Sequence, residues 1–366
     1  MIGDLFPTLR KLRGGNDGGL VGLELETDSI SAVEIHTNGS PQLTASAIGP
    51  LAAGAVDDGE VADRDAVAAG LRSLFSTHKL SRRVRLGIAN QRVVVRTLRL
   101  PAIEDPKELA AAVRFTAQEQ IPMPIDEAIL DHRVVGGAPA SEGMPPQLDV
   151  VVVAARAGMI DSWLEVMHAA DLEPIGIDLS AFGLIRALGD LPQVDGATPT
   201  KVTTATLYCN IGDVTNLAVA RGHACLFTRV SPVGLEDVVT SLEGATGLSR
   251  EHAQQWINYV GLAQPPELIE GDREMITRVR TALENGASAL LDELRLSLDF
   301  YSAQEGAVPI ERIILSGPGS IVPGLAAWME PALHLPIETR RPAALSGLDA
   351  SAAARLTLSY GLALEE

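Results

Sequence analysis

The stretch that decides the fold is Lys201–Val230, KVTTATLYCNIGDVTNLAVARGHACLFTRV. Ala205, Leu207, Tyr208 and Cys209 form an apolar run that enters Asn210-Ile211-Gly212-Asp213-Val214-Thr215. A second run, Asn216–Ala220, follows at once. Arg221-Gly222-His223 then turns the chain into Ala224–Val230. The pattern predicts strand, tight turn, strand, turn, strand. Gly212 allows a close backbone approach that a side chain would block. Thr215 offers a hydroxyl, and successive turn amides can cradle a phosphate. Taken alone, the stretch reads equally as a β-meander with a polar turn. Two further stretches, placed where a two-lobed nucleotide fold needs them, favour the phosphate reading.

The bulk properties narrow the classes. At 366 residues the chain exceeds one average domain, so two lobes are the expectation. Hydrophobic residues make up 46% and aromatics 4%, which predicts a large core of Ala, Val, Leu and Ile. The net charge of −18 argues against a nucleic-acid partner, which requires clustered Lys and Arg. It argues equally against broad adhesion to anionic lipid. Cys209 and Cys225 form no metal-like cluster and fit a reducing compartment. No signal peptide is legible, and the longest apolar run, Val150–Ala155, suits a buried strand rather than a membrane span. The expected location is cytoplasmic.

In chain order, residues 1–19 form an N-terminal arm. Within it, Met1–Gly15 carries Leu5, Phe6, Leu9 and Leu12 with Arg10, Lys11 and Arg13. That arm is either a frayed start packed locally or a contact for a membrane surface or partner. Leu20–Ile35 predicts two strands about Glu26–Ser29, and Leu43–Ile48 a third. Asp63–His78 predicts a helix with Val67, Leu71, Leu74 and Phe75 on one face, and Val84–Ala89 a strand. Next come a strand at Val93–Leu100 and a helix opening at Asp105-Pro106 and ending at Gln120. A strand at Ile129–Val135, a loop at Ala138–Pro146, a strand at Leu148–Ala155, a helix at Met159–Ala170 and a strand at Glu173–Asp178 follow. Residues 94–177 therefore read as an αβ subdomain inserted in a first lobe made of residues 20–93 and 178–200. That lobe ends with a helix at Ser180–Leu188 and a linker at Asp190–Thr200. Residues 201–366 form the second lobe, whose C-terminal helix is free to return to the first. Its helices are predicted at Gly234–Glu243, Ser249–Val260, Asp272–Glu305 and Leu325–Met329, the latter ended by Pro331. A strand, Ile313–Leu315, enters Ser316-Gly317-Pro318-Gly319-Ser320, and a last helix falls within Ala344–Leu364.

Three stretches are candidate nucleotide contacts: the strand-turn-strand loops Glu24–Ser31 and Asn210–Thr215, and the Gly-rich turn Ser316–Ser320. The candidate residues are Glu24, Thr27 and Ser29 in the first, Asn210, Gly212, Asp213 and Thr215 in the second, and Gly317, Gly319 and Ser320 in the third. In this order the hairpins would clamp phosphates in a cleft between two lobes. The Gly-rich turn would let adenosine lie on bare backbone.

At this point the chain resembles a known family. QEQIPMPIDEAILDHRVV (Gln118–Val135), LEVMHAADLEPIGIDLSAFGLIRAL (Leu164–Leu188), DELRLSLDFYSAQE (Asp292–Glu305) and SYGLALEE (Ser359–Glu366) look like the PilM family of type IV pilus assembly. The resemblance covers nearly the whole chain from Leu20. It implies an α/β, two-lobed actin-like (FtsA-like) fold with a small inserted αβ subdomain, and ATP with magnesium in the cleft. It also implies a partner, the short cytoplasmic N-terminus of a PilN-like inner-membrane protein, and a link to the pilus motor machinery. Contact with the membrane would come through such partners.

The departures from the family pattern concern the phosphates. The first hairpin of the family usually reads Asp, any residue, Gly, with a Lys further on; the matching positions here are Glu24, Glu26 and Ser31. The Asp of the second hairpin is Asn210, although Gly212 and Thr215 remain, and Pro318 stands inside the Gly-rich turn. Losing that Asp removes a carboxylate that would orient magnesium-bound water. Glu26 and Asp28 put negative charge where phosphates would lie. The expectation is weak nucleotide binding or none, with no efficient catalysis, in a scaffold. The rival classes are an ATPase or sugar kinase of the same superfold and an FtsA-like division protein. The seven histidines make no metal-ligand pair at helical spacing, and no Ser or Cys sits in a nucleophile elbow.

Overall fold

Residues 19–38, 40–138, 145–190, 203–304 and 306–364 are described by a computed structural model of the chain. The basic arm at Met1–Gly15, most of the 138–146 loop and the linker beyond Asp190 lie outside these residues. The chain divides into two units, Met1–Arg186 with Ser359–Glu366, and Ala187–Leu358.

The first unit starts with the hairpin β1 (Leu20–Leu25) and β2 (Ser29–Asn38), extended by β3 (Ser40–Pro50). A small ribbon, β4 (Val56–Asp57) and β5 (Glu60–Val61), leads to α1 (Arg64–His78). Asp63 begins that helix by accepting the Ala66 amide at 3.0 Å. Lys79 ends it in the left-handed region at φ 54°. β6 (Arg83–Ile88) runs parallel to β1. Then come β7 (Val94–Pro101), α2 (Pro106–Gln120), β8 (Ala128–Ala138) and β9 (Gln147–Arg156). α2 is set by its flanks. Asp105 accepts two amides and Pro106 opens the helix, while Pro122 stops it. β7, β9 and β8 form a three-stranded antiparallel sheet whose core packs Val113 and Ala117 of α2 on Leu98, Leu100, Val150 and Val152.

α3 (Ala157–Ala169), β10 (Glu173–Leu179) and α4 (Ser180–Leu188) complete this stretch. β10 pairs with β6 in parallel along its length, giving a five-stranded sheet of order β10-β6-β1-β2-β3. The inserted sheet thus ends at Arg156, whereas the sequence reading carried the insert to residue 177. The reason is topological. Parallel neighbours need a long crossover, and the insert together with α3 supplies it between β6 and β10.

The second unit opens with the meander read from the sequence: β11 (Ala205–Ile211), β12 (Thr215–Arg221) and β13 (Ala224–Ser231). α5 (Leu235–Thr246), α6 (Arg250–Val260) and α7 (Arg273–Ser302) follow. β14 (Ile310–Ser316) returns parallel to β11, and α8 (Leu325–Leu333) leads to β15 (Ile337–Thr339). The sheet order is β13-β12-β11-β14-β15. Leu207, Cys209 and Ile211 meet Leu283, Leu290 and Leu294 of α7 in the core.

Two endings differ from expectation. α8 runs through Pro331, which gives up its own bond to the preceding turn, while the His334 amide beyond it still reaches the Glu330 carbonyl at 3.1 Å. The last helix is capped at its start by Asp349, which accepts the Ser351 and Ala352 amides, and it breaks at Leu356 into α9 (Ala350–Arg355) and α10 (Thr357–Ala363). Ser359–Leu364 belongs to the first unit and lies on β1 and β6. Gly22 and Gly87 make room, because a Cβ at Gly22 would sit 2.5 Å from the Ala363 nitrogen and nearer still to the Ser359 carbonyl.

Candidate functional site

The second unit gathers most of the residues singled out for phosphate. β11 ends and β12 begins about a tight turn in which the Gly212 amide donates to the Val214 carbonyl at 3.1 Å. The Gly212 carbonyl accepts the Leu235 amide at 2.9 Å, which pins the turn to the start of α5. Gly234 permits this approach, since a Cβ there would lie 2.6 Å from the Gly212 oxygen. That glycine was missed by sequence reasoning, although a Gly just before a helical stretch was its legible signal.

Across the parallel pair β11–β14, Asn210 lies beside Ser316, and the Ser316 hydroxyl donates to Asn210 Oδ1 at 2.9 Å. Gly317 adopts φ 79°, and a Cβ there would be 2.7 Å from the Ile211 carbonyl. A Cβ on Gly319 would lie 2.7 Å from Ile211 Cβ. Both glycines are required for the turn after β14 to lie against the end of β11. Asn210, Gly212, Asp213, Thr215, Gly317, Gly319 and Ser320 therefore share one corner of the second unit.

The hydroxyls in this corner are engaged by the protein itself. Thr215 is fully buried, and its Oγ1 donates to the Val233 carbonyl at 2.7 Å. Ser320 is buried, and its Oγ donates to the Gly317 carbonyl at 2.7 Å. At the α5 N-terminus, Asp237 accepts the Gly234 amide at 3.1 Å, and Glu236 is bridged by Arg250 at 2.9 Å. The positive helix end thus already carries two carboxylates.

In the first unit, Glu24 is buried opposite Ser31 on the β1–β2 pair. The turn closes through the Glu26 amide and the Ser29 carbonyl at 2.9 Å. The Ser29 hydroxyl donates to Glu26 Oε2 at 3.4 Å. Thr27 is exposed at the tip, and the Asp28 carbonyl accepts the Leu51 amide at 2.7 Å. Glu24, Glu26 and Asp28 place three carboxyl groups within five residues, and the sequence holds no Lys or Arg between Arg13 and Arg64.

Elsewhere in the second unit, Arg340 Nη1 donates to Asp190 Oδ1 at 2.7 Å and Arg312 bonds the other oxygen. Burial alone would raise the Asp190 carboxyl, but hydrogen bonds and charge from Arg340 and Arg312 outweigh it and hold the group below the usual range. Burial pushes the Cys209 and Cys225 thiols up to about 12. Among the described residues no group of three His, Cys, Asp or Glu could hold a metal ion, and no helix is long and apolar enough to cross a membrane.

This architecture has known counterparts. A solved PilM–PilN type IV pilus biogenesis complex contains a chain 25% identical to this one. The match covers 94% of this chain and 97% of that one, with a TM-score of 0.74. The ethanolamine utilization protein EutJ of Carboxydothermus hydrogenoformans is 15% identical over 98% of this chain and 94% of its own, with a TM-score of 0.51. MreB5 of Spiroplasma citri bound to ADP is 12% identical, covers 95% of each chain and has a TM-score of 0.52. The last two likenesses establish the actin-like fold alone. The model of the type IV pilus assembly protein PilM family matches residues 22–358, nearly all of both units, and the chain belongs to that family.

Proposed function

We propose that this protein is a cytoplasmic actin-like scaffold of type IV pilus assembly, or of a related secretion machine. It binds the short cytoplasmic tail of a PilN-like inner-membrane protein and links it to the motor machinery. The observation that carries this reading is the likeness to a chain solved together with PilN, over 94% of the present chain. The inserted subdomain is the proposed receptor. Its three-stranded sheet and α2 offer a small rigid unit on which an extended or apolar peptide can dock. Membrane proximity comes through that partner.

We further propose that nucleotide binding is weak and hydrolysis inefficient. Backbone amides of the Gly212 turn and the positive end of α5 would attract a phosphate, although the Gly212 amide already donates to Val214 and the α5 end already carries Asp237 and Glu236. Also against a phosphate stand Glu24, Glu26 and Asp28, the Asn at position 210, and hydroxyls of Thr215 and Ser320 already bonded to carbonyls. Magnesium, if bound, would be held by Glu24 at longer reach than by an Asp.

Calorimetric titration tests both parts. A peptide copying the N-terminus of the PilN-like protein encoded nearby should bind, and absence of heat and of a thermal shift sinks the scaffold reading. ATP with magnesium should bind no tighter than on the order of 100 µM. Low-micromolar binding with steady phosphate release above a blank would instead establish an ATPase.

A further inference from the structure

β13 is an edge strand: among the described residues nothing pairs with its outer side. Its sequence, ACLFTRVS, carries neither Pro nor Lys, residues that commonly blunt such edges. A register shift at Val219/Ala220 sets Leu226 out of step, leaving Phe227–Ser231 as a straight run.

α7 lies along this run. Arg229 Nη2 and Ser231 Oγ reach Glu293 at 2.9 and 3.3 Å. Further up the strand, the Phe227 ring is 5.8 Å from Tyr301 and 5.9 Å from Phe300. From Phe227 to Ser231 is about 13 Å of strand, and from Tyr301 to Glu293 about 12 Å of helix. The two elements therefore keep step, running in opposite directions. On the flank of α7 that carries Phe300, Leu296 stands one turn away. Leu296 is 54% and Phe300 53% exposed, although soluble surfaces seldom pair large apolar side chains this way. Asp292 and Asp299 border them and are exposed. Arg295 donates to the Ala332 carbonyl at 3.2 Å and pairs with Asp292 at 3.7 Å, which leaves Asp299 as the carboxylate away from that arginine.

We propose that the outer edge of β13, roofed by Leu296 and Phe300, accepts an extended segment of a partner protein. In that segment apolar residues alternate, and the row facing α7 carries Lys or Arg. Strand addition satisfies the open amides and carbonyls of Phe227–Ser231. Residues two apart in an added strand are about 6.6 Å apart, and residues four apart on a helix about 6 Å. Two successive inward side chains of the guest thus meet Leu296 and Phe300 in turn. A long cation in the same row reaches Asp299, since Asp292 is already met by Arg295. A second copy of this chain does not fit, because the same carboxylates would face each other on molecules of net charge −18. The inference stands apart from the proposed PilN-like contact, which concerns the inserted subdomain of the other unit.

The probe is a blocked peptide, Arg-Thr-Leu-Thr-Val-Thr-Arg, followed by fluorescence anisotropy against the full chain up to on the order of 1 mM. It should bind, and replacing both arginines by Glu should weaken it about tenfold or more. Replacing the central Thr by Pro should abolish binding, since that amide is needed by the strand ladder. Phe300→Asp and, as a second variant away from the Phe227 stack, Leu296→Asp should each weaken it about tenfold or more. Circular dichroism and the thermal midpoint confirm that both variants are folded. Absence of binding, equal affinity for the Arg and Glu peptides, or indifference to both variants overturns the proposal. So does sedimentation showing a wild-type dimer that Leu296→Asp dissolves.

Discussion

Gly22→Ala adds one methyl group beneath the returning end of the chain, and its effect can be worked out from the structure. The new Cβ would lie 2.5 Å from the Ala363 nitrogen and 2.9 Å from Leu362 Cβ, with the Ser359 carbonyl closer than either. Two of these are backbone atoms of α10, which cannot swing aside as a side-chain tip can. Overpacking of this kind costs about 1–3 kcal/mol, and a backbone clash belongs at the top of that range. The alternative is to lift Ser359–Leu364 off the sheet. That exposes Leu362, worth about 2 kcal/mol. It also gives up the bonds from Ser359 Oγ to the Ser31 carbonyl at 2.9 Å and from Arg186 to the Gly361 carbonyl at 2.9 Å. Arg85 would lose the Leu362 and Leu364 carbonyls at 2.9 and 2.8 Å. At about 1 kcal/mol each, these bring the cost of lifting to about 6 kcal/mol. The strained docked state is the cheaper outcome, so Gly22→Ala should destabilise by about 3 kcal/mol.

Urea unfolding followed by circular dichroism measures that loss. Hydrogen exchange localises it, because amides of residues 359–364 should open about 100-fold more readily. Gly158→Ala in α3 is the matched control: a Cβ there meets nothing within 4 Å, so the change should stabilise by about 0.5 kcal/mol. If Gly22→Ala costs less than about 0.5 kcal/mol, the end of the chain does not rest on β1 as described.

The remaining expectations are compact. Cys209 and Cys225, buried and with thiols pushed up to about 12, should resist iodoacetamide in the native protein and react fully in urea, as read by intact mass. Asp190 has a lowered folded pKa, so its contribution to stability is present above the ordinary Asp range and is lost as pH falls through the lower folded value. Asp190→Asn should therefore flatten the acid limb of a urea-midpoint profile below about pH 4, and an unchanged slope would contradict the pairing with Arg340 and Arg312.

Local chemistry made much of this fold legible. α2 begins and ends where Asp105-Pro106 and Pro122 require, and the β11–β12 hairpin sits where the apolar runs break at Gly212. The sheet membership of β10 was not legible, because its partner β6 lies beyond the whole insert and no local pattern records that pairing. The start of the last helix at Asp349 was overlooked although the residue is a ready cap, while its break at Leu356 carries no Gly or Pro to announce it. The candidate corner shows a sharper limit. Glycines announce close approach wherever it occurs, and Gly212, Gly317 and Gly319 do share one place. A hydroxyl announces only that it needs a partner. Thr215 finds its partner at Val233 and Asn210 at Ser316, 106 residues away, and neither distance is written in the residues themselves.

That limit governs how a Thr215 substitution must be read. Thr215→Val, the natural test of a phosphate contact, also strips the Val233 carbonyl of a buried donor, which costs about 1–3 kcal/mol. The Val233-Gly234 segment holds α5 against the Gly212 turn through the Leu235 amide, so the whole corner would loosen. Loss of nucleotide in that variant would follow whether or not the hydroxyl ever met a phosphate. The stability of Thr215→Val without nucleotide separates the cases, and Thr215→Ser is its control, because it keeps the donor and removes only a methyl group. If the hydroxyl is a structural tie, Ser should retain both the nucleotide affinity and, within about 1 kcal/mol, the stability of the parent, while Val loses stability even without nucleotide. Equal stability of Val and parent in urea, with ATP binding reduced, would instead assign the hydroxyl to the ligand.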